Sequence, residues 1–487
     1  MVNKRGSRAI RGGRDLDADK SSPTGALLLL NIQHLLIAMD FTVVFVALPT
    51  MGDDLGLTDR GLTYVTATYG LAFAAFLLLG GRAADVFGRR RVLLVGLALF
   101  VVASVVAVSG SAAALLVGRS MQGAAAGLIT PAAQALVVTR YPEGKQRTRA
   151  LSWWGVTGAG GLALGGPAAG VLTWALDWRA VLLVNVPIGL LCLVLAPRLI
   201  AVDATRETEA GPRFRLPAVL TAGAAMGLLV WTVAEGPVSA AADTLVRATA
   251  VVVLLGAFVL MERRSTDRLM HRDILRVRPV AVADLMSVFF GAALGGQFFA
   301  ITLYLQAVSG MSALVAGLMF IPVTLFMVVG NKVGVLLIAR IGPIRSLPVG
   351  LAIAAVAEVA MAFLPTGGGV PLLVPAMILL GLGQGIAFVA ITVAATATVA
   401  AERQGVASGL LNVGMNIGQS IGPAVLAAIV TWRSTAALDG GAGQAEANNQ
   451  GLHGAFLAIA AIVVVGLLVC GVLLRSGPGR VESVHAG

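Results

Sequence analysis

Charged residues make up only 12% of this 487-residue chain, where a soluble protein carries roughly a quarter. So few charges cannot cover an aqueous surface, so most of the chain must face lipid or other helices. Cysteine is nearly absent. Cys192 and Cys470 stand singly inside apolar runs, which excludes a disulfide framework or thiolate metal site and leaves two packing residues. A nucleotide loop is also missing: Gly144-Lys145 is followed by Gln146, not Ser or Thr, and has no upstream glycine pattern. Nothing resembles a His/Cys/carboxylate cluster or a serine elbow. The chain is therefore not expected to be an enzyme, to hold a metal or cofactor, or to hydrolyse ATP.

What fills the chain instead is apolar: 57% of residues are hydrophobic and the mean hydropathy is +0.90. The net charge of +11 could suggest nucleic acid. The basic residues lie in short clusters between apolar runs rather than on one continuous domain, so no nucleic-acid partner is expected. A membrane-spanning helix needs about 20 mainly apolar residues. Six such runs are expected near 25–49, 62–80, 92–109, 112–138, 150–173 and 179–197. Two follow near 216–235 and 245–262, then six more near 279–306, 312–338, 343–364, 371–397, 404–431 and 452–474. The first run is too long for the core of a cleavable signal and contains Asp40, so it is read as a span.

With the N-terminus placed in the cytoplasm, 29 of the 35 Lys and Arg fall in cytoplasmic segments and four in outer ones. The other two, Arg119 and Lys332, lie within spans. That segregation obeys the positive-inside bias and puts both termini in the cytoplasm. All six tryptophans (153, 154, 174, 178, 231 and 432) sit near expected span ends, as an aromatic belt would.

A repeat runs through the spans. Met121-Gln122-Gly123 in the fourth is matched by Gly383-Gln384-Gly385 in the twelfth, and Gly166-Pro167 in the fifth by Gly422-Pro423 in the thirteenth. The expected fold is an all-α membrane protein: two six-helix bundles, 25–199 and 279–475, related by a pseudo-twofold axis. A two-helix insert, 216–262, lies between them, and cytoplasmic tails occupy 1–24 and 476–487. Such halves enclose a central site near the bilayer midplane.

Five segments carry a family likeness: Asp40-Phe41-Thr42-Val43-Val44 with Val46-Ala47-Leu48-Pro49; the run from Gly81 through Asp85 and Gly88 to Arg89-Arg90-Arg91; Arg119-Ser120-Met121-Gln122-Gly123; Gly165-Gly166-Pro167-Ala168-Ala169-Gly170; and Trp178-Arg179 followed by Asn185-Val186-Pro187-Ile188-Gly189. Over nearly its whole length the chain resembles the major facilitator superfamily, specifically the fourteen-helix drug:proton antiporters. The resemblance implies proton-coupled efflux by alternating access. It also implies a gating role for Gly81, Asp85, Gly88 and Arg89, and an antiporter-type motif over Gly161, Gly165, Gly166, Pro167 and Gly170. The match is incomplete, since Val171 stands where that motif has a second glycine and the upstream glycine spacing is shifted.

The residues support the same reading on their own. A charge inside the bilayer costs roughly 2.5–3.5 kcal/mol or more and persists mostly where it pairs or works. Asp40 and Arg119 both lie roughly 12–14 Å from the outer end of their spans at 1.5 Å per residue, level enough to face each other across the cavity. Asp40 is thus the first candidate for the coupling carboxylate, with Arg119 and Gln122 beside it; the alternative is a static structural pair. Glu358 and Asp284 are alternative proton or cationic-substrate sites. Glu235 reads as solvated. Lys332 and His34 could join a proton path, though snorkelling suits Lys332 better and a packed core imidazole suits His34. Gly158, Gly161 and Gly165, like Gly414, Gly418 and Gly422, form smooth helix strips for close packing, while Pro167 and Pro423 permit bending.

The expected function is proton-driven export of a hydrophobic or cationic small molecule, a drug or antibiotic, by a monomer in a bacterial plasma membrane. Export of an endogenous metabolite, siderophore or lipid-like compound is the alternative, and a non-transporting sensor is the least favoured.

Overall fold

A segment surrounded by lipid must satisfy its backbone polar groups internally, and a helix does so within one segment. A computed structural model describes residues 23–57, 59–142, 145–201, 216–235, 241–264, 277–396, 399 and 404–475, and among these there is no strand. The expected tails 1–24 and 476–487 lie outside the described residues, apart from Pro23 and Thr24.

The first half comprises α1 (Pro23–Leu55), α2 (Asp59–Phe87), α3 (Arg89–Ala107), α4 (Ala112–Arg140), α5 (Lys145–Ala175), and the short pair α6 (Trp178–Leu183) and α7 (Asn185–Leu199). Next come α8 (Leu216–Glu235) and α9 (Ala241–Arg263). The second half comprises α10 (Arg278–Leu303), which continues as a π-helical turn Tyr304–Val308, then α11 (Ala313–Leu318), α12 (Ile321–Ile341), α13 (Pro343–Met361), α14 (Val370–Thr396), α15 (Gln404–Asp439) and α16 (Gln444–Arg475).

Eleven helical segments among the described residues are long and apolar enough to cross a membrane, or thirteen if two bent pairs each count once. The expected count of fourteen is not reached, because the apolar stretch Leu220–Leu229 of α8 is short by that measure. Two boundaries also differ. Pro49 lies inside α1, which runs six residues further. The segment 81–91, expected as a loop, is helical except at Gly88, where φ is 94°.

The repeat is visible in the packing. In the first half α1 lies along α5, α4 lies between α2 and α3, and α7 touches α1 and α3. In the second half α10 lies along α15, α14 lies between α12 and α13, and α16 touches α10 and α13. Glycine contacts repeat as well: Gly123 of α4 meets the Tyr69 carbonyl of α2, and Gly385 of α14 meets the Met327 carbonyl of α12. Gly88 opens α3 and Gly342 opens α13, with φ of 94° and 81°. Left-handed backbone of this kind costs little only for glycine.

One hydrophobic core joins the halves, reaching from Val43–Met51 of α1 to Phe290–Val308 of α10 and the π turn. A second core, including Leu30, Leu93, Ile129 and Cys192, belongs to the first half, towards the end that carries the arginines of 88–91. The core shared by both halves therefore lies at the end opposite the arginines, while towards the arginine-rich end only Val413 of α15, among the described residues, joins the first half's core.

Candidate functional site

Asp40 is fully buried and pairs directly with Arg119, whose Nη1 lies 2.9 Å from its Oδ2. Asn185 at the start of α7 donates its side-chain amide to the other carboxylate oxygen at 2.5 Å. Arg119 Nη1 also donates to Gln122 Oε1 at 2.9 Å, and Gln122 passes the chain on to Ser104 Oγ at 2.8 Å. The guanidinium stacks 4.2 Å from the centre of the Tyr69 ring. Five helices thus hold one charge pair, and each charge has both an opposite charge and a hydrogen bond. A buried pair holds together only on those terms.

The expected placement across the cavity is corrected by this geometry. Asp40 and Arg119 lie within the first bundle, and the helices that present them, α1 and α4, belong to the same packed unit. The cavity is next door. It encloses about 100 Å³ between the halves, and its wall on the first half includes His34, Phe41, Tyr69, Phe73 and Trp154. The facing wall includes Phe290, Phe388, Asn412, Asn416 and Gln419. Tyr69 and Phe41 also line a small void that reaches Arg119, so these two rings separate the cavity from the ion pair. The Tyr69 hydroxyl has no hydrogen-bond partner among the described residues. None of Asp40, Arg119, Gln122, Glu358 or Asp284 lines the cavity itself.

Away from the arginine-rich end the cavity is sealed. Phe45 and Phe299 stand edge to face at 6.4 Å, and Gln306 of the π turn donates to the Val46 carbonyl at 2.8 Å. Gly166 lies under the Phe320 ring, and Gly170 lies against the backbone of Ala313 and Leu314.

The glycine motif is therefore split between two duties. Gly158, Gly161 and Gly165 face α1, meeting His34, the Leu35 carbonyl and Thr42 inside their own bundle. Only Gly166 and Gly170 face the other half, and Pro167 lies between those two. Gly414, Gly418 and Gly422 likewise pack on α10 within the second half. The close packing expected of these strips is therefore mostly within bundles: of the four motif glycines, Gly161 and Gly165 pack inside the first half, and Gly166 and Gly170 pack across the seam.

Gly81 and Asp85 lie in the last two turns of α2, and Asp85 is exposed; Arg89 begins α3. Glu358 is buried inside the second half, and neither of its oxygens has a hydrogen-bond partner. The Asp284 carboxylate oxygens are buried and unpartnered too, near the start of α10. Lys332 is exposed on α12. The Glu235 side chain lies outside the described residues.

Three features escaped the sequence. Asn185 was visible only as part of a motif, although an amide in an apolar helix signals a buried partner. His34 is no anonymous core residue: it stacks on Trp154 at 3.8 Å and lines the cavity. Trp154 and Trp178 are buried, so two of the six tryptophans leave the expected belt; Trp178 donates instead to Asp54 at 3.1 Å.

A bundle of apolar helices with a cavity between two repeated halves defines a membrane transporter. A family model of the Major Facilitator Superfamily matches residues 30–423, and the chain belongs to that superfamily. It is 36% identical over 453 residues to a puromycin resistance protein of Streptomyces alboniger, covering 91% of this chain and 89% of that one. It is 34% identical to a tetracenomycin C resistance and export protein of Streptomyces glaucescens, over 80% of this chain and 73% of the relative. A cephamycin export protein of Amycolatopsis lactamdurans is 36% identical, with 85% of each chain covered. In fold the chain is similar to a bacterial homologue of the lysosomal transporter Spinster, solved inward-facing and unoccupied. That likeness has a TM-score of 0.66 at 17% identity, over 94% of this chain and all of that one.

Proposed function

We propose that the protein exports small organic molecules, antibiotics among them, from a bacterial cell in exchange for protons. It works as a monomer in the plasma membrane with both termini in the cytoplasm. The observation that carries this reading is the fully buried Asp40–Arg119 pair, one ring's thickness from the cavity. The resistance and export named for the relatives support the direction of transport.

With the arginine-rich end inside, the sealed end faces outward and the cavity is positioned to take substrate from the cytoplasm. Asp40 in this state is held by Arg119 and Asn185. A proton arriving on Asp40 from outside cancels that attraction and releases Arg119 towards Tyr69 and the cavity. Loss of the proton to the cytoplasm restores the pair. One charge moving through about 100 mV contributes roughly 2.3 kcal/mol, enough for a gradient near fifty-fold. The cavity walls carry aromatic rings and amides and no carboxylate among the lining residues, which favours an apolar, uncharged substrate over a strongly cationic one.

The test uses everted vesicles acidified by respiration, with puromycin, lincomycin and tetracenomycin C as probes. Wild type should release protons on addition of at least one of them and protect cells against it. Asp40→Asn should do neither while reaching the membrane at the same level. Equal proton release by both proteins would refute the role of Asp40.

A further inference from the structure

The pseudo-twofold register exposes a position at which the two halves differ in kind. Gly96 of α3 packs on Ala125 of α4, and Gly350 of α13 packs on Ala387 of α14, the position that matches Ala125. The helices that carry them, α3 and α13, are each 19 residues long and each begin just after a glycine of positive φ. In that register Glu358 stands where the first half has Ser104. Gln384 stands where it has Gln122, and Gly381 where it has Arg119.

The consequences follow from what each partner is doing. In the first half Ser104 accepts the Gln122 amide, and Arg119 supplies a cation. In the second half the Gln384 and Gln297 amides bond to each other in both directions, so neither turns to Glu358. Gly381 offers no cation. Glu358 is 1% exposed, and both its oxygens are buried without a hydrogen-bond partner. It borders a small pocket inside the bundle, walled by Phe290 of α10, Leu351 and Ala354 of α13, Leu380 of α14 and Val463 of α16. No other ionisable side chain lines that pocket from any of the four helices.

Leaving a carboxylate there without donor or cation costs several kcal/mol, of order 2–7 even for a neutral polar group. A group retained at that cost needs a ligand. The pocket holds about 10 Å³, on the threshold for about one water. A hard metal cation would want about six oxygen ligands, and only one carboxyl is present. The proton is the ligand that fits. Phe290 is also a wall of the main cavity, so one ring stands between Glu358 and the path that substrate takes.

We propose that Glu358 is a second proton-exchange site, located in the second half and separate from the pair at Asp40. Its binding of a proton does not depend on the exporter reading; its contribution to transport rests on it. In this arrangement Asp40 exchanges its proton against a fixed cation. Glu358 exchanges its own against nothing but the polarity of the space beside it, which changes when substrate or water enters past Phe290.

Infrared difference spectroscopy of the purified full-length protein in lipid nanodiscs tests the binding directly. Wild type should show the carbonyl stretch of a neutral carboxyl, lost in Glu358→Gln and lost reversibly in wild type as the pH is raised. A wild-type spectrum identical to that of Glu358→Gln in this region would overturn the proposal. So would a band that never changes with pH, the mark of a fixed structural proton. If Glu358→Gln folds poorly, Glu358→Asp, which keeps a carboxyl but displaces its band, and Asp284→Asn, which should leave the band in place, assign the signal; a band moved by Asp284→Asn and not by Glu358→Asp overturns the proposal equally. In the vesicle assay Glu358→Gln should move fewer protons per substrate than wild type while still transporting. An unchanged proton-to-substrate ratio would confine Glu358 to binding without transport. If wild type releases no protons at all, the antiport reading fails, whereas the infrared result still decides the site.

Discussion

Gly170 offers the sharpest test of how the two halves part. A methyl group built on it would lie 2.6 Å from the Ala313 carbonyl oxygen and 3.1 Å from Leu314 Cα, where ordinary contact begins near 3.4 Å. The obstacle is backbone of the opposite half, so α11 must retreat by about 0.8 Å for Gly170→Ala to keep the seal. Overpacking of this kind costs about 1–3 kcal/mol. If the other state separates α5 from α11, the whole cost falls on the sealed state, and the ratio of the two states shifts by roughly 5- to 150-fold. Gly161→Ala is the control. Its methyl would meet the Leu35 carbonyl oxygen at 2.5 Å and Ala38 Cβ at 2.7 Å, both on α1 of the same bundle. A rigid bundle carries that strain through both states, so stability falls and the ratio does not move. Spin labels at Asp53 and Ser312, both exposed near the sealed end, report the separation by pulsed dipolar spectroscopy, with Cys192 and Cys470 replaced by Ala. Gly170→Ala should populate a longer distance; Gly161→Ala should keep the wild-type distribution and lower the thermal midpoint. Identical distributions for a folded Gly170→Ala and wild type would refute the assignment of this glycine to the moving seam.

Trp154→Ala removes the ring that stacks on His34 in the cavity. An aromatic contact is worth about 0.5–1.5 kcal/mol, so affinity for an aromatic substrate found in the vesicle screen should fall roughly 2- to 13-fold by calorimetry; unchanged affinity would place substrate elsewhere. Gly342→Ala adds a methyl to open space but forces a side chain into φ 81°. It should lower the thermal midpoint through about 1–2 kcal/mol of backbone strain, as Gly88→Ala should at the matching position. A wild-type midpoint for both would mean the two turns relax.

The charge pair was legible because an acid and a base stand out in apolar helices and their depths can be counted along the axis. Their partnership followed; their location did not. Which way a side chain points depends on helix rotation, and α1, α10 and α14 are apolar nearly all round, with no polar face to mark the direction. Asp40 was therefore set facing the cavity when it faces α4 and α7. The same blindness hid the two duties of the glycine motif, since Gly165 and Gly166 are neighbours in sequence yet point to different halves. Pro49 misled for another reason. A proline ends a helix by removing a donor and crowding the preceding turn, but neighbouring helices let α1 continue to Leu55. Repeats were readable where small residues recur at fixed spacing. Glu358 was legible as an embedded acid, and its missing partners required the fold.

The distribution of polar groups between bundles and seam bears on how such a molecule can move at all. Charge within the first bundle is satisfied by groups of that same bundle, Asp40, Arg119, Asn185 and Gln122, so rocking of the bundle does not by itself break their contacts. The sealed seam is made differently, from stacked rings, close glycine backbone and the Gln306–Val46 hydrogen bond. That bond is worth about 0.5–1.5 kcal/mol net, and water can replace it on opening. Had the ion pair bridged the halves, opening would strand a buried charge at a cost of about 3–5 kcal/mol, more than one proton supplies at about 100 mV. A pair kept inside one bundle lets protonation change its geometry without having to break the seam directly. If Asp40 exchanges protons as proposed, coupling must pass through what touches both, and Tyr69 and Phe41, which wall the cavity on one side and the approach to Arg119 on the other, are the side chains in that place.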